Sequence, residues 1–236
     1  MEKLFKKLYK KSANSFYKIM KEKLKKEEKM FIVTANPETF MISEKDETMN
    51  KLLLDNDSTL VPDGIGIVKA TKIVGYEIEE RITGIDIAVK LLEYGNELKK
   101  TIYLFGAKQE VIDSMLEVIE KDYPELTVVG SSNGYEKDKD GVFKKIISKK
   151  PDIVFVALGI PNQEKLIYKH LSKFDKGIFV GVGGSFDVIS GHKKRAPKIF
   201  IKLNLEWLYR IAKEPKRLKR FYDSNVKFLF KVKKLK

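Results

Sequence analysis

The chain has 236 residues, 43% of them hydrophobic, and a formal net charge of +14. This length fits one domain with a proper hydrophobic core. The absence of cysteine excludes disulfides, thiolate metal sites and cysteine nucleophiles. The sequence lacks both a run of about 18 apolar residues and the apolar core of a signal peptide, so we expect a cytoplasmic protein without a transmembrane helix.

The positive charge lies at the two ends of the chain. Residues 1–30 carry 11 Lys/Arg and 4 Asp/Glu, residues 192–236 carry 16 and 3, and the stretch between them carries 20 and 26. A mildly acidic body with cationic ends indicates that the ends meet a polyanion while the body performs chemistry. A nucleic-acid-binding protein is the alternative from the charge, but no recognised nucleic-acid motif is present.

The predicted elements alternate between short strands and longer helices. In chain order they are strand Met30–Thr34, helix Glu44–Asp55, strand Thr59–Val61, helix Gly84–Asn96, strand Thr101–Phe105, helix Gln109–Asp122, strand Thr127–Val129, helix Gly141–Lys149, strand Ile153–Leu158, helix Asn162–Phe174 and strand Ile178–Val182. Near-continuous apolar strands are typical of parallel strands covered on both faces. The pattern therefore predicts an α/β fold, a Rossmann-like, mostly parallel sheet with helices on both faces.

The two ends of the chain differ from this body. We expect a basic N-terminal helical segment over residues 1–29, an α/β catalytic body over residues 30–196 and a basic amphipathic appendage over residues 197–236. Pro215 is expected to divide the appendage into at least two helices. The aromatic and basic residues after Arg217 favour a segment at a membrane interface. An ordinary helix packed on the sheet is the alternative for Leu205–Ile211.

Polar and glycine-rich segments follow five of the predicted strands. They are Thr34-Ala35-Asn36-Pro37-Glu38, Pro62-Asp63-Gly64-Ile65-Gly66, Phe105-Gly106-Ala107, Gly159-Ile160-Pro161-Asn162-Gln163-Glu164 and Gly181-Val182-Gly183-Gly184-Ser185-Phe186-Asp187. Ligands bind at the carboxyl ends of parallel strands because loops and helix N-termini converge there. We therefore predict one site at this edge of the sheet. Asp63 is its candidate general base, and a helix N-cap is the structural alternative for this residue.

Other patterns that could carry chemistry are less convincing. Asp55-Asn56-Asp57 has the Asp-x-Asp spacing of metal-dependent glycosyltransferases, but it precedes a strand and is expected at the opposite edge of the sheet. His170 and His192 are too few for a histidine metal cluster. The chain has neither the phosphate-binding loop of kinases nor the dinucleotide fingerprint of dehydrogenases. We therefore expect no metal site.

The order of the motifs resembles that of a known family. Four of the five segments that follow strands, all but Phe105-Gly106-Ala107, occur in family order with three further motifs. These are Arg81-Ile82-Thr83-Gly84-Ile85-Asp86, Arg195-Ala196-Pro197 and Leu205-Glu206-Trp207-Leu208-Tyr209-Arg210. Together these seven motifs are similar to those of the WecG/TagA/CpsF family of glycosyltransferases, over about residues 30–230. One departure is that the family usually opens with a short strand, and residues 1–29 contain none.

The resemblance implies an inverting, metal-independent glycosyltransferase. Its implied donor is a UDP-sugar carrying N-acetylmannosamine or a related sugar, and its implied acceptor is undecaprenyl-diphosphate-linked N-acetylglucosamine. The reaction would contribute to wall teichoic acid or another surface polysaccharide, at the inner face of the cytoplasmic membrane. The UDP-sugar is a substrate, so no cofactor is implied, and the resemblance also suggests self-association. Another hexosyltransferase of the family and a nucleotide-sugar epimerase remain alternatives.

The resemblance also assigns residues. Asp63 is the implied general base on the acceptor hydroxyl. The implied substrate-binding residues are Thr34 and Asn36 at the sugar and Gln163, Gly184 and Asp187 at the UDP, joined by Arg81, Asp86, Glu164 and Gly183. Without a metal, amides, helix N-termini and arginines must stabilise the leaving diphosphate. The tail candidates for that role, or for contact with an anionic membrane surface, are Arg210, Arg217 and Arg220.

Overall fold

The computed structural model describes residues 1–235, and a six-stranded sheet forms its centre. The strands are β1 (Met30–Ala35), β2 (Ser58–Pro62), β3 (Thr101–Gly106), β4 (Thr127–Ser132), β5 (Ile153–Ala157) and β6 (Ile178–Gly181). Their order across the sheet is β2-β1-β6-β5-β3-β4, and every neighbouring pair is parallel. The predicted parallel α/β sheet is thereby confirmed.

Helices surround the sheet. Those of the body are α3 (Pro37–Ser43), α4 (Glu47–Leu54), α5 (Ile65–Ile73), α6 (Gly84–Glu97), α7 (Gln109–Asp122), α8 (Lys139–Lys149), α9 (Asn162–Leu171) and α10 (Ser185–Ile189). Those of the ends are α1 (Glu2–Lys7), α2 (Ala13–Lys25), α11 (Lys198–Lys202), α12 (Glu206–Lys213), α13 (Arg217–Phe221), a π-helical turn (Tyr222–Val226) and α14 (Lys227–Lys233). None of the helices in residues 1–235 has the length and hydrophobicity that a membrane crossing needs.

The helices near the first two strands differ from the prediction. The predicted helix over residues 44–55 corresponds to α4, which begins only at Glu47 because the Asp46 side chain accepts the Met49 N–H at 2.9 Å and caps the helix. Helix α3, over residues 37–43, was not predicted. Helix α5 was not predicted. It starts after Gly64 without a side-chain cap, so the usual N-terminal signal is missing from the sequence.

The apolar side chains of each strand alternate between two cores. In β1, Phe31 and Val33 belong to one core and Ile32 to the other. In β5, Val154 and Phe155 divide in the same way. This alternation follows from the two-residue period of a strand, and it explains why strands covered on both faces are apolar throughout.

Both ends of the chain pack against the body. The first helix buries Phe5 in one core, and α2 buries Phe16 in the other. Helix α14 buries Phe228 and Val232 in the same core as Phe5. The segment expected at a membrane interface after Arg217 thus has Phe228 and Val232 in the core, and its contact with a membrane stays a prediction. The boundaries of the three predicted segments stay a prediction.

Candidate active site

A cavity of about 1090 Å³ opens at the carboxyl edge of the sheet. The register of the strands brings their ends together there: Ala35 of β1 pairs with Pro62 of β2, and Val156 of β5 pairs with Gly181 of β6. The segments after these four strands line the cavity, together with α12, α13 and the turn that follows it. The cavity therefore lies where the loops were predicted to converge.

Asp63 lines this cavity immediately after β2. Its backbone N–H donates to the carbonyl of Ala35 at 2.9 Å, which ties the start of the loop to β1. Gly64 follows with a φ of +87°, a conformation that favours glycine. Helix α5 begins at Gly64 with no side-chain cap, so Asp63 is not the helix N-cap that was the structural alternative. The carboxylate of Asp63 therefore does not cap α5 and can act as a base.

The surroundings make Asp63 an unusually strong base for an aspartate. Burial raises its pKa to about 6, although the guanidinium groups of Arg210 and Arg81 lower it. The carboxylates of Glu206 and Asp86 raise the pKa further. At neutral pH the carboxylate is mostly ionised, yet it can accept a proton in a transition state. A pKa close to the working pH is what general-base catalysis favours.

The loop after β1 is held by the start of α3. The Asn36 side chain accepts the Thr39 N–H at 3.0 Å, and the Thr39 hydroxyl accepts the Asn36 N–H at 3.3 Å. This reciprocal capping fixes the direction of the loop. Thr34, Asn36 and Glu38 all line the cavity near this point. Both residues expected at the sugar are thus brought into the cavity.

Gln163 connects the turns after β5 and β6. Its Oε1 accepts the N–H of Gly159 and the N–H of Gly183, and its Nε2 donates to Glu164. Gln163 lines the cavity, whereas Glu164 does not. Burial raises the pKa of Glu164 to about 7, although the hydrogen bond that it accepts from Gln163 lowers the pKa.

The turn after β6 also lines the cavity, through Gly183, Gly184 and Asp187. The Asp187 carbonyl accepts the Lys193 N–H at 2.7 Å, and the side chains of the two residues form an ion pair at 3.9 Å. These contacts place a carboxylate and an ammonium group on one wall. Gly184 and Asp187, which the resemblance assigned to the UDP, therefore both lie on the cavity wall.

Arg81 and Asp86 have different positions. Arg81 lines the cavity, donates to the carbonyl of Ile201 at 3.2 Å and pairs with Glu206 at 3.8 Å. Asp86 does not line the cavity. It accepts the Thr83 hydroxyl at 2.6 Å and pairs with Arg195 at 2.7 Å. The direct substrate contact expected for Asp86 is thus not supported, because its carboxylate joins α6 to the segment before α11.

All three arginines predicted in the tail line the cavity, and each pairs with a carboxylate. The pairs are Arg210 with Glu206 at 2.5 Å, Arg217 with Glu214 at 2.7 Å and Arg220 with Glu38 at 2.9 Å. Altogether eight Lys/Arg and five Asp/Glu side chains line the cavity. The excess of positive charge suits an anionic ligand.

The sequence reasoning missed several residues of the cavity wall. Lys69 lies on α5, which was not predicted, and Lys193 and Lys194 were only counted among the basic residues of the C-terminal end. Trp207 and Phe221 stack with ring centroids 4.4 Å apart at an angle of 8°, and both line the cavity. The sequence shows that both residues are aromatic, but it does not show that their rings stack across the break at Pro215.

The patterns that the sequence analysis set aside lie elsewhere. Asp55 precedes β2, at the edge of the sheet opposite the cavity, and accepts the Tyr168 hydroxyl at 2.6 Å. His170 is buried, stacks on Phe143 and bonds Asp140 at 2.7 Å. Within residues 1–235, no three His, Cys, Asp or Glu side chains cluster in a way that could hold a metal ion.

Comparison with known proteins identifies the class of enzyme. The sequence model of the glycosyl transferase WecG/TagA/CpsF family matches residues 4–236. The chain belongs to this family and is a glycosyltransferase, as its seven motifs indicated.

Curated relatives from three bacteria agree with this assignment. The chain is similar to a protein of Bacillus spizizenii, with 43% identity over 190 residues that cover 80% of this chain and 74% of the relative. A Bacillus subtilis relative is 43% identical over 80% of this chain and 73% of its own length. A Staphylococcus aureus relative is 35% identical over 88% and 81%. All three are named N-acetylglucosaminyldiphosphoundecaprenol N-acetyl-beta-D-mannosaminyltransferase.

Proposed function

We propose that the enzyme transfers N-acetylmannosamine from a UDP-sugar to undecaprenyl-diphosphate-linked N-acetylglucosamine. The sugar and the acceptor are those in the names of the relatives. One observation carries the proposal: Asp63 shares a single cavity with the glycine-rich turn after β6 and with the arginines of the C-terminal helices. In this proposal one cavity contains both a base for the acceptor hydroxyl and positive charge for the leaving diphosphate.

In the proposed reaction, Asp63 accepts the proton of an acceptor hydroxyl. The hydroxyl oxygen forms a bond to the anomeric carbon of the donor sugar as the bond from that carbon to the UDP oxygen breaks. A single displacement of this kind inverts the anomeric configuration. It would convert an α-linked UDP-sugar into the β-linked product that the names of the relatives describe. The raised pKa of Asp63 supports its role as the proton acceptor.

The leaving UDP is proposed to depart without a metal ion. Its developing charge would be met by Arg210, Arg217 and Arg220, whose planar guanidinium groups can bind two phosphate oxygens each. In the structure these groups are paired with carboxylates, so the diphosphate would take over positions that Glu206, Glu214 and Glu38 now occupy. Charge stabilisation of this kind is often the largest contribution to catalysis.

The enzyme is proposed to act peripherally at the inner face of the cytoplasmic membrane, in wall teichoic acid or related polysaccharide synthesis. Large hydrophobic side chains are exposed along residues 197–235, where the basic charge is also concentrated. They are Ile199, Leu203, Leu208, Leu218, Tyr222, Phe230 and Leu235. Exposed apolar groups among cations favour binding to an anionic leaflet, at about 1 kcal/mol for each cation near the surface.

The test of the base is Asp63→Asn, assayed with UDP-N-acetylmannosamine and a polyprenyl-diphosphate-linked N-acetylglucosamine. We expect turnover to fall by about 10²–10⁴-fold, the contribution typical of a general base, while UDP still binds. Asp57→Asn, an exposed aspartate at the opposite end of β2, is the matched control and should leave turnover unchanged. Near-normal turnover of Asp63→Asn would remove the residue from the reaction.

A panel of UDP-sugars with the same acceptor tests the donor. We expect UDP-N-acetylmannosamine to give the highest kcat/KM, and a better substrate among the other sugars would replace it in the proposal.

Release of UDP should require the acceptor lipid. Equally fast release without that lipid would instead favour hydrolysis or epimerisation of the nucleotide sugar.

A further inference from the structure

A buried hydrogen-bonded chain joins the turns after β5 and β6. Gln163 Oε1 accepts the Gly159 N–H at 3.0 Å and the Gly183 N–H at 3.2 Å. Its Nε2 donates to Glu164 Oε1 at 2.8 Å. Both side chains are only 2% exposed. One amide oxygen therefore holds two turns of the cavity wall in register with each other.

The packing around this amide is tight. A Cβ added at Gly181 would lie 2.4 Å from Nε2 of Gln163, so only glycine at the end of β6 leaves space for the amide. Gly159 and Gly183 have φ values of +76° and +47°, which also favour glycine. The positions of all three glycines are thus consistent with a wall shaped around the Gln163 side chain.

The orientation of the amide matters because its two ends have opposite hydrogen-bonding character. The oxygen only accepts, and the NH₂ group donates. If the amide were rotated by half a turn, its NH₂ group would face the N–H donors of Gly159 and Gly183, and these two partly buried donors would lose their acceptor. Glu164 accepts from Nε2 and therefore favours the orientation in which the oxygen faces the two turns.

Glu164 has no evident role apart from this one. It does not line the cavity, so it is not placed to touch a substrate there. Its second oxygen, Oε2, is buried and has no hydrogen-bond partner among the described residues. A buried carboxyl with an unused acceptor is costly, and its place in the first turn of α9 is the other effect that the control variant below must separate.

We propose that Glu164 is a positioning residue that orients the Gln163 amide and so holds the turns at Gly159 and Gly183 in the form that binds the UDP of the donor. The identity of the ligand, UDP, rests on the proposed function. The hydrogen bonds between Glu164, Gln163 and the two turns do not depend on it. Glu164 would act only through Gln163.

The first test compares three substitutions at position 164 in steady-state kinetics. Glu164→Ala removes the acceptor, and we expect the KM for the UDP-sugar to rise about tenfold, as for the loss of one oriented hydrogen bond, with little change in kcat. Glu164→Met keeps the volume of the side chain and should show the same rise even if the alanine variant folds poorly. Glu164→Gln keeps an acceptor oxygen and should restore the KM.

A matched control separates this effect from the loss of an acidic residue near a helix N-terminus. Glu110 lies in the first turn of α7, is exposed and does not line the cavity. Glu110→Ala should therefore leave the KM unchanged. An unchanged KM in Glu164→Met, or a raised KM in Glu164→Gln equal to that in Glu164→Met, would overturn the proposal.

A double-mutant cycle tests whether Glu164 acts through Gln163. Gln163→Ala should raise the KM by itself, and adding Glu164→Met to it should cause no further rise. Effects that multiply independently would overturn the proposal, because they would show that Glu164 acts by another route.

Hydrogen exchange of the Gly159 and Gly183 amides, followed by NMR, provides a readout that does not depend on activity. Glu164→Met should speed exchange at both amides, whereas Glu164→Gln and Glu110→Ala should not. Unchanged exchange at both amides in Glu164→Met would overturn the positioning role. If exchange changes as expected but the wild-type enzyme does not bind UDP, the proposed donor is wrong and the positioning role stands.

Discussion

The basicity of Asp63 comes from its position at the end of β2, inside a cavity wall. Burial raises its pKa to about 6, and the neighbouring Arg81 and Arg210 keep the pKa from rising further. The same two arginines line the cavity, so the groups that limit the pKa also contribute positive charge to the site. The balance leaves a carboxylate that is ionised at neutral pH and still able to accept a proton.

The pH profile of the enzyme should report this pKa. Because the base must be ionised, kcat/KM should be constant above about pH 7 and fall about tenfold per pH unit below about pH 6. The measurement is kcat/KM between pH 5 and 8 with a saturating concentration of acceptor. A flat profile down to pH 5 would contradict the assignment of Asp63 as the base.

The raised pKa also makes the ionised Asp63 a cost to folding. The folded pKa of about 6 lies above the reference value of 3.8, so folding favours the protonated carboxyl of Asp63. The stability that this group contributes is fully present below about pH 4 and is lost as the pH rises through 6. The loss at neutral pH is on the order of 3 kcal/mol. Asp63→Asn should therefore raise the Tm at pH 7.5 and leave it nearly unchanged at pH 4. Equal Tm values at pH 7.5 would contradict this.

The C-terminal helices complete the cavity by reaching across to the body. Arg220, at the end of α13, forms a two-pronged ion pair with Glu38 at the start of α3. The Trp207–Phe221 stack joins α12 to α13 on the same wall. These contacts place charged groups from distant parts of the sequence around one space.

Arg220→Ala should lower kcat for transfer by about tenfold or more, as expected for a group that stabilises a leaving diphosphate. Arg220→Lys should restore little of the loss, because an ammonium group lacks the planar fork of a guanidinium. Lys219 is exposed and does not line the cavity, so Lys219→Ala serves as the control. Equal losses in the Arg220 and Lys219 alanine variants would indicate a general charge effect.

The two ends of the protein share a core with the body. The Phe40 ring lies 4.9 Å from Phe5 and 5.6 Å from Phe228, measured between ring centroids. Removing residues 197–236 would take Phe228 out of this core, and losing one buried phenylalanine side chain typically costs about 3–5 kcal/mol. Truncation is therefore a poor test of membrane binding.

Substitution of exposed residues is the better test. Ile199 and Leu203 are 64% and 60% exposed, so replacing both with serine should leave the fold intact. Pelleting with anionic liposomes should weaken by at least about tenfold if both side chains are buried in the interface, since each contributes about 1.5–3 kcal/mol. Tyr135→Ser, which changes another exposed side chain, should pellet like the wild type. Unchanged pelleting of the double variant would contradict the proposed membrane surface.

The local pattern of residues was sufficient to predict all six strands, their parallel arrangement and the edge at which the cavity lies. Apolar runs determine strands because both faces of a parallel sheet are covered, and strand–helix alternation determines their common direction. Asp63 could be selected because Pro62 and Gly64 mark a turn at the end of a strand. These features depend on neighbours in the sequence, which is why they could be predicted.

Only the tertiary structure decided which side chains meet. Asp86 pairs with Arg195 outside the cavity, and Arg220 pairs with Glu38, 182 positions away in the chain. Burial set the pKa of Asp63, and Gln163 joined the turns after β5 and β6. Ion pairing, burial and buried hydrogen bonds depend on distances between residues that are remote in sequence, and those distances exist only once the chain has folded.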